Sequence, residues 1–338
     1  MIRLVRKLAP ILTISLLAGL SPGLAEAVPQ ALPLAVPLAT KTLALRQPSK
    51  LSSKWTRISK IGYGTATAKL GTSPGGEGLL FGPDYGVQVP DKTWWYADAA
   101  KRRLAHYSDA GAYLGQVKLP TKYLAQGIYF QWSNPVALVD GTVVLTSTTI
   151  NSPGLLLLSP QHTFTRVSLS RFVNVVVTDG HSLYGFDGTN KSVKVRPRTG
   201  AISTVTGLKG QGGRRFTISV AMGRISVRRP GVNLRLNLVE PAHPSTPIQP
   251  AVEAVVGADG KLWILASGIV EVSPGNAHDV VGLFSVSVSG AVSAVYKVRT
   301  LFSDSDPGGG HHLGIRQGSS KPTLMFIDSD AARVYRKV

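Results

Sequence analysis

Residues 86–111 read GVQVPDKTWWYADAAKRRLAHYSDAG, and their punctuation decides the fold. A short apolar segment ends at Pro90–Thr93, a turn-forming cluster, and a second apolar run, Trp94–Asp98, follows. A further turn precedes Arg103–Tyr107, and Asp109–Gly111 supplies a third. Runs of about five residues rich in aromatic and β-branched types, each closed by Gly, Pro or Asp, are the signature of antiparallel strands joined by tight turns. The stretch is a β-meander.

Working outward, the same plan recurs five times. Similar units start near Val136 (turn at Asp140-Gly141), Val175 (turn at Asp179-Gly180), Thr217 (turn at Met222-Gly223), Ala254 (turn at Asp259-Gly260) and Leu313 (turn at Ser319 to Pro322). No long stretch sustains a helical apolar period. A single meander cannot bury both of its faces, so units repeating at a period of tens of residues stack on one another. The expectation is an all-β chain, a six-bladed β-propeller of four-stranded antiparallel blades. The sixth meander runs out at residues 334–338 after its third strand. Lys54–Ile61 has the alternation to supply the fourth, so an N-terminal strand is expected to complete the last blade, with Trp55–Ile61 beside Arg333–Val338.

Blade one also carries a more specific echo: Asp98, four intervening residues, then Arg103-Leu104. It returns as Asp328 and Arg333-Val334, and more weakly as Asp187 and Ser192-Val193. This motif resembles the NHL repeat, in which a strand ends in Asp, a short turn follows and an Arg opens the next strand. The resemblance implies that Asp98 pairs with Arg103 across a hairpin, and Asp328 with Arg333, in a structural role.

The flanks set the domain limits. Residues 1–27 have the layout of a secretory signal: Arg3, Arg6 and Lys7, an apolar stretch from Leu8 to Leu20, then Ala25-Glu26-Ala27 as a cleavage site. Residues 28–50, with four prolines and no acid, read as a flexible lead, and residues 51–338 as the propeller. The expected address is extracytoplasmic, periplasm or extracellular space, with no membrane span once the signal is removed and a monomer as the working state. No cysteine is present, which excludes disulfides, thiolate metal sites and cysteine nucleophiles.

The chain carries 37 Lys+Arg against 18 Asp+Glu, a formal net charge of +19. Removing the signal leaves 34 basic and 17 acidic residues, net +17. Outside the cytoplasm such a field draws acidic polysaccharide, cell-wall polymer or lipid headgroups. Basic residues cluster at Lys101–Arg103, Arg214-Arg215 and Arg224–Arg235 without interleaved aromatics, which argues against a single-strand nucleic-acid groove.

Catalytic signatures are missing: no G-x-S-x-G elbow, no H-E-x-x-H, no Walker loop. In propellers the beginnings of the innermost strands converge on one mouth of the central channel, a concave place that suits ligands. Those positions here are Asp84, Tyr85, Trp132, Asn134, Asn174, Arg215, Glu253, His311 and His312. Asp84, Asn134, Asn174 and Glu253 are hard oxygen donors of the kind Ca2+ takes. The arrangement is similar to gluconolactonase and senescence-marker propellers, which implies metal-assisted lactone hydrolysis. Against it, asparagines at such places are ordinary turn formers. Two functions therefore stand: a non-catalytic binding or scaffold module for a protein or polyanionic envelope ligand, with no cofactor, and a metal-dependent hydrolase of the lactonase type. The first is preferred.

Overall fold

In the computed structural model the described residues are 36–45, 55–74, 80–81, 86–123, 132–147, 151–273, 276–296, 310–327 and 331–337. They form six four-stranded antiparallel blades arranged in a ring. The leader read at residues 1–27 lies outside them. Among the described residues no helix is long and apolar enough to cross a membrane.

From innermost to outermost strand, blade one is Gly86–Gln88, Trp94–Asp98, Arg103–Tyr107 and Tyr113–Lys118. Blade two is Trp132–Ala137, Val143–Ser147, Gly154–Leu158 and Phe164–Ser168. Blade three is Val173–Thr178, Leu183–Asp187, Ser192–Val195 and Ile202–Thr204. Blade four is Leu208–Lys209, Arg215–Ala221, Arg224–Arg229 and Val232–Val239. Blade five is Ala251–Val256, Leu262–Ser273, Asn276–Val286 and Val292–Tyr296. Blade six takes Gly310–Gly314, Thr323–Ile327 and Ala331–Lys337 from the end of the chain and Trp55–Gly62 from its beginning.

The closure joins the expected segments: Trp55 faces Lys337 and Thr56 faces Arg336, and the pairing runs on past Arg333 to set Ile61 against Ala332. A latch reinforces it. Arg336 donates to both oxygens of Asp109 in blade one at 3.0 and 2.7 Å, and to Gln88 Oε1 at 3.2 Å. Trp94 Nε1 and Gln88 Nε2 donate to the same Asp109 Oδ1. The carboxylate thus welds the first blade to the last.

Blade one also bears out the hairpin pairing. Asp98 and Arg103 face one another across the hairpin, with Asp98 0% and Arg103 2% exposed and a 2.8 Å ion pair between them. Asp98 further accepts from the backbone of Gly71 and Lys101, while Arg103 donates to the carbonyls of Thr67 and Lys69 and to Gln116. A buried ion pair persists where its remaining donors and acceptors are filled, and here the surplus bonds clamp the segment 63–71 onto the blade. Asp328 lies outside the described residues.

Two features differ from the sequence reading. Part of the segment read as a flexible lead is packed: Ala39–Ala44 forms a fifth strand on blade four, parallel to Val232–Val239, with Thr40 beside Arg235 and Leu43 beside Leu238. Leu43 and Leu45 are buried in the core, so two apolar side chains in a Pro-rich setting suffice to dock the strand. In blade four the unit beginning at Thr217 is also one strand out of step. Its innermost strand is the two-residue Leu208–Lys209 pairing with Arg215–Phe216, too short to show any alternation in sequence.

Candidate functional site

Successive side chains of a strand point to opposite faces of its sheet, and in a ring of blades those faces look at the two neighbouring blades. On the innermost strand of blade five, Ala254 and Val256 pack toward blade four, while Val255 joins the cluster with blade six. Glu253 shares the side of Val255 and meets blade six: its Oε2 accepts from Leu313 N at 2.6 Å and lies 3.1 Å from His312 Nδ1. Both side chains are about a quarter to a third exposed. Of the positions expected at the channel mouth, these two are brought together.

The others diverge. Asn174 is exposed on blade three, on the side away from the cluster shared with blade two. Trp132 is buried, donating Nε1 to Tyr123 O at 2.6 Å and packing among Trp95, Leu104 and Leu156. Arg215 opens the second strand of blade four rather than its innermost one and donates to Thr206 O at 3.4 Å. Asn134 and His311 lie on innermost strands, while Asp84 and Tyr85 fall outside the described residues. Among the described residues no three His, Asp or Glu side chains are grouped to hold a metal ion.

At the opposite end of the channel the turns between first and second strands meet. The turn Arg316–Ser319 of blade six reaches every other blade. Arg316 Nη1 donates to Pro90 O of blade one, and Gln317 Nε2 to Ala137 O of blade two. Gln211 of blade four exchanges bonds with Arg316 O and Gly318 N at 3.0 and 2.7 Å, and Ala258 of blade five donates to Ser319 O. Gln317 also lies against Gly180 of blade three. A turn bonded to four of the other blades and in contact with the fifth lies over the axis, so this end of the channel is plugged.

The inter-blade faces supply the sharpest contrast. Apolar clusters fill the junctions of blades one and two around Trp95, Trp132 and Leu145, and of two and three around Leu155, Val173 and Leu183. Another joins four and five around Ile225, Leu236, Ile264 and Phe284. Blades five and six meet through Trp263, Leu265 and Phe326, and six and one through Met325, Val334 and Tyr107. Between three and four the apolar contact is confined to the inner strands and one outer edge: Val177 and Tyr184 of blade three join Leu208 and Phe216 in the neighbouring core, with the half-buried Val176, Phe186 and Val205 packed against it.

Farther out the facing surface of blade four is polar. Its cross-strand rows are Thr217–Arg228–Asn233, Ser219–Ser226–Arg235–Thr40 and Ala221–Arg224–Asn237–Thr42. Ser219, Arg224 and Arg228 are exposed, and Asn233, Arg235 and Asn237 half-buried. Lys194, cross-strand to Tyr184 and Ser203, faces it from blade three. Among the described residues no carboxylate lies within ion-pair distance of Arg224, Arg228 or Arg235, and Arg235 Nε is buried without a partner. The result is a cleft lined by guanidinium, ammonium, amide and hydroxyl donors where the other junctions hold aliphatic and aromatic side chains.

Arg224, Arg228, Arg235 and Lys194 were not singled out as site residues by reading strand beginnings. One signal for them is legible: from Gly188 to Val239 the sequence has eleven Lys or Arg and no Asp or Glu.

Nothing among curated proteins matches the chain. A family model described as "Domain of unknown function (DUF7485)" matches residues 53–337. Among solved structures, streptogramin B lyase is similar at 9% identity and a TM-score of 0.44, over 86% of this chain and 92% of that one. The calcium-binding protein regucalcin from Agrobacterium tumefaciens is similar at 11% identity and a TM-score of 0.43, over 75% and 90%. The N-terminal domain of Nup159 is similar at 9% identity and a TM-score of 0.44, over 88% and 84%.

Proposed function

We propose, from the premise that this chain belongs to the DUF7485 family, that it is a non-catalytic binding module which holds a linear polyanion in the cleft between blades three and four. The observation that carries this reading is the lining of that cleft: three arginines in successive cross-strand rows, flanked by Asn, Ser and Thr, with no acidic residue between Gly188 and Val239. Uncompensated guanidiniums repel one another and cost stability. They also offer forked donors to carboxylate, sulfate or phosphate.

The shape narrows the ligand. The arginines stand in adjacent rows on the one face of blade four that is not apolar, a linear array of cations that matches a linear polyanion. Acidic polysaccharide or polyphosphate outside the cytoplasm fits both the donors and the setting implied by the N-terminal leader. Glycosidic or phosphodiester hydrolysis needs paired acid–base groups; among the described residues the outer rows of the cleft hold no carboxylate, and Asp179 at its inner end is engaged by Lys209 and Tyr184.

The test is retention of the full chain on immobilised polygalacturonate and polyphosphate as a function of salt. Arg224→Gln/Arg228→Gln/Arg235→Gln should elute at clearly lower salt and lose about two to three ionic contacts from the salt slope. Lys118→Gln/Lys122→Gln/Lys321→Gln removes the same charge elsewhere on the surface and should change little. Equal losses in both triples would reduce the effect to diffuse net charge and overturn the reading.

A second reading, metal-assisted lactone hydrolysis, has one observation in its favour: the Glu253–His312 contact at the innermost strands. A carboxylate beside an imidazole fixes the orientation of the ring, as it does for histidines that serve metals or move protons. A thermal shift with Ca2+, Zn2+ or Mn2+ that disappears in Glu253→Gln would favour this reading over the first.

A further inference from the structure

A cavity of about 510 Å3 opens where blades two and three meet at the plugged end of the ring, within the size range of small-molecule sites. Three turns enclose it: Leu138–Asp140, Gly180–Ser182 and Arg196–Thr199. Its floor is apolar. Leu138 and Pro197 are buried, whereas Val139 is 45% exposed and faces no covering side chain sufficient to bury it.

The floor is also rigid. Val139 N donates to Gly180 O at 2.9 Å, and a Cβ on Gly180 would fall 2.4 Å from Val139 Cγ1. Gly180 has φ +93°, so glycine is needed there on both counts.

The rim is cationic. Arg196 and Arg198 flank Pro197, and their turn is fixed by backbone bonds from Gly200 N to Arg196 O at 2.9 Å and from Arg196 N to Ala201 O at 2.9 Å. Asp140 Oδ2 accepts from Arg198 Nη2 at 2.5 Å, and Asp140 is itself anchored by Thr142 N at 3.0 Å. One of the five guanidinium donors is thereby used for positioning, leaving the rest for a ligand. Arg196 is exposed, and among the described residues no carboxylate lies within ion-pair distance of it. Two arginines against one aspartate leave the rim net positive over an apolar floor.

We propose that this cavity is a binding site for a small amphipathic anion: a carboxylate held by Arg196 and Arg198, with a short apolar body lying on Leu138, Val139 and Pro197. A purely inorganic anion leaves the floor wet, and a neutral apolar molecule leaves the guanidiniums unmatched. The site is separate from the polar cleft between blades three and four and draws on different residues.

The experiment is titration of the full chain with octanoate by isothermal calorimetry, with 1-octanol and inorganic phosphate as matched probes. Saturable one-to-one octanoate binding is expected, with at least tenfold weaker binding of either probe. Arg196→Gln/Arg198→Gln should weaken octanoate at least tenfold, and Val139→Asp should abolish it. Both changes are at exposed positions, and an unchanged urea midpoint will show that the fold is intact. Arg224→Gln/Arg228→Gln/Arg235→Gln should leave octanoate binding as it is, which separates this site from the polyanion cleft. Absence of binding at millimolar octanoate, equal binding of 1-octanol, or indifference to Arg196→Gln/Arg198→Gln would each overturn the proposal.

Discussion

His106 shows how much one side chain can report about the ring. It stacks flat on Trp95 with centroids 4.1 Å apart and an interplanar angle of 2°, its Nε2 lies 2.7 Å from Thr93 Oγ1, and His162 of blade two stands edge-on to the same Trp95. Burial lowers its pKa below the ordinary histidine value; Asp91 pulls upward and His162 downward. The folded state therefore binds fewer protons than the unfolded chain, so the stabilisation is complete above the unfolded pKa of about 6.5 and is lost as pH falls through it toward the folded value. The urea midpoint should accordingly decline between pH 7.5 and 5.5. His106→Asn should remove part of that slope, and an identical slope in the variant would refute the assignment. Asp98 acts through its ion pair with Arg103. Asp98→Ala leaves the Arg103 guanidinium buried without its carboxylate and should cost about 3–5 kcal/mol by urea denaturation, because the clamp on residues 63–71 opens with it. That pair is legible in the sequence, because the spacing from Asp98 to Arg103 recurs from Asp328 to Arg333. The stack of His106 on Trp95 is not legible there, since it joins residues eleven apart through a strand register that apolar periodicity alone does not number.

Among elements, legibility follows strand length and turn chemistry. Five blades announce their first hairpin through an Asp-Gly, Pro-containing or Ser-rich turn between alternating apolar runs, and those hairpins fall where the punctuation puts them. Blade four does not: its innermost strand is two residues long, and Met222-Gly223 is the turn between its second and third strands. The strand Ala39–Ala44 is hidden for a related reason. Four prolines between residues 28 and 50 outweigh the short Thr40–Leu43 alternation in any local reading, whereas the open edge of Val232–Val239 is a tertiary fact. The two chain ends therefore differ in what they hold. Removing residues 334–338 takes away the cross-strand partners of Trp55–Ser59 and the Arg336 latch, and should abolish a cooperative melting transition. Removing residues 28–48 strips one edge strand and the buried Leu43 and Leu45, and should lower Tm by several degrees while the transition stays cooperative. Comparable losses from the two deletions, read by differential scanning calorimetry, would count against the closure.

At the scale of the whole molecule, charge and packing are arranged in opposition. Asp109, Asp179 and Asp187 are each pushed up by burial, yet hydrogen bonds and neighbouring cations outweigh that and hold them below the ordinary carboxylate value. The stability they give is present above the unfolded pKa of about 4 and is lost as pH drops below it, so acid should open the ring at the latch and at blade three. The cleft is built the other way, from charges that no acid compensates among the described residues. If Arg224, Arg228 and Arg235 served the fold, neutralising them would destabilise it. Because they stand in adjacent rows of one sheet face, with like charges as neighbours, their mutual repulsion should instead make the wild type less stable at low salt than it is at 0.3 M NaCl. Arg224→Gln/Arg228→Gln/Arg235→Gln should then match or exceed the wild-type Tm at 20 mM salt and show a flatter dependence of Tm on salt, while losing retention on polyanion. Thermal scans from 20 to 300 mM NaCl decide it. A triple variant that melts well below wild type at low salt would mean that the arginines hold blades three and four together, and that the cleft is an irregular interface rather than a site.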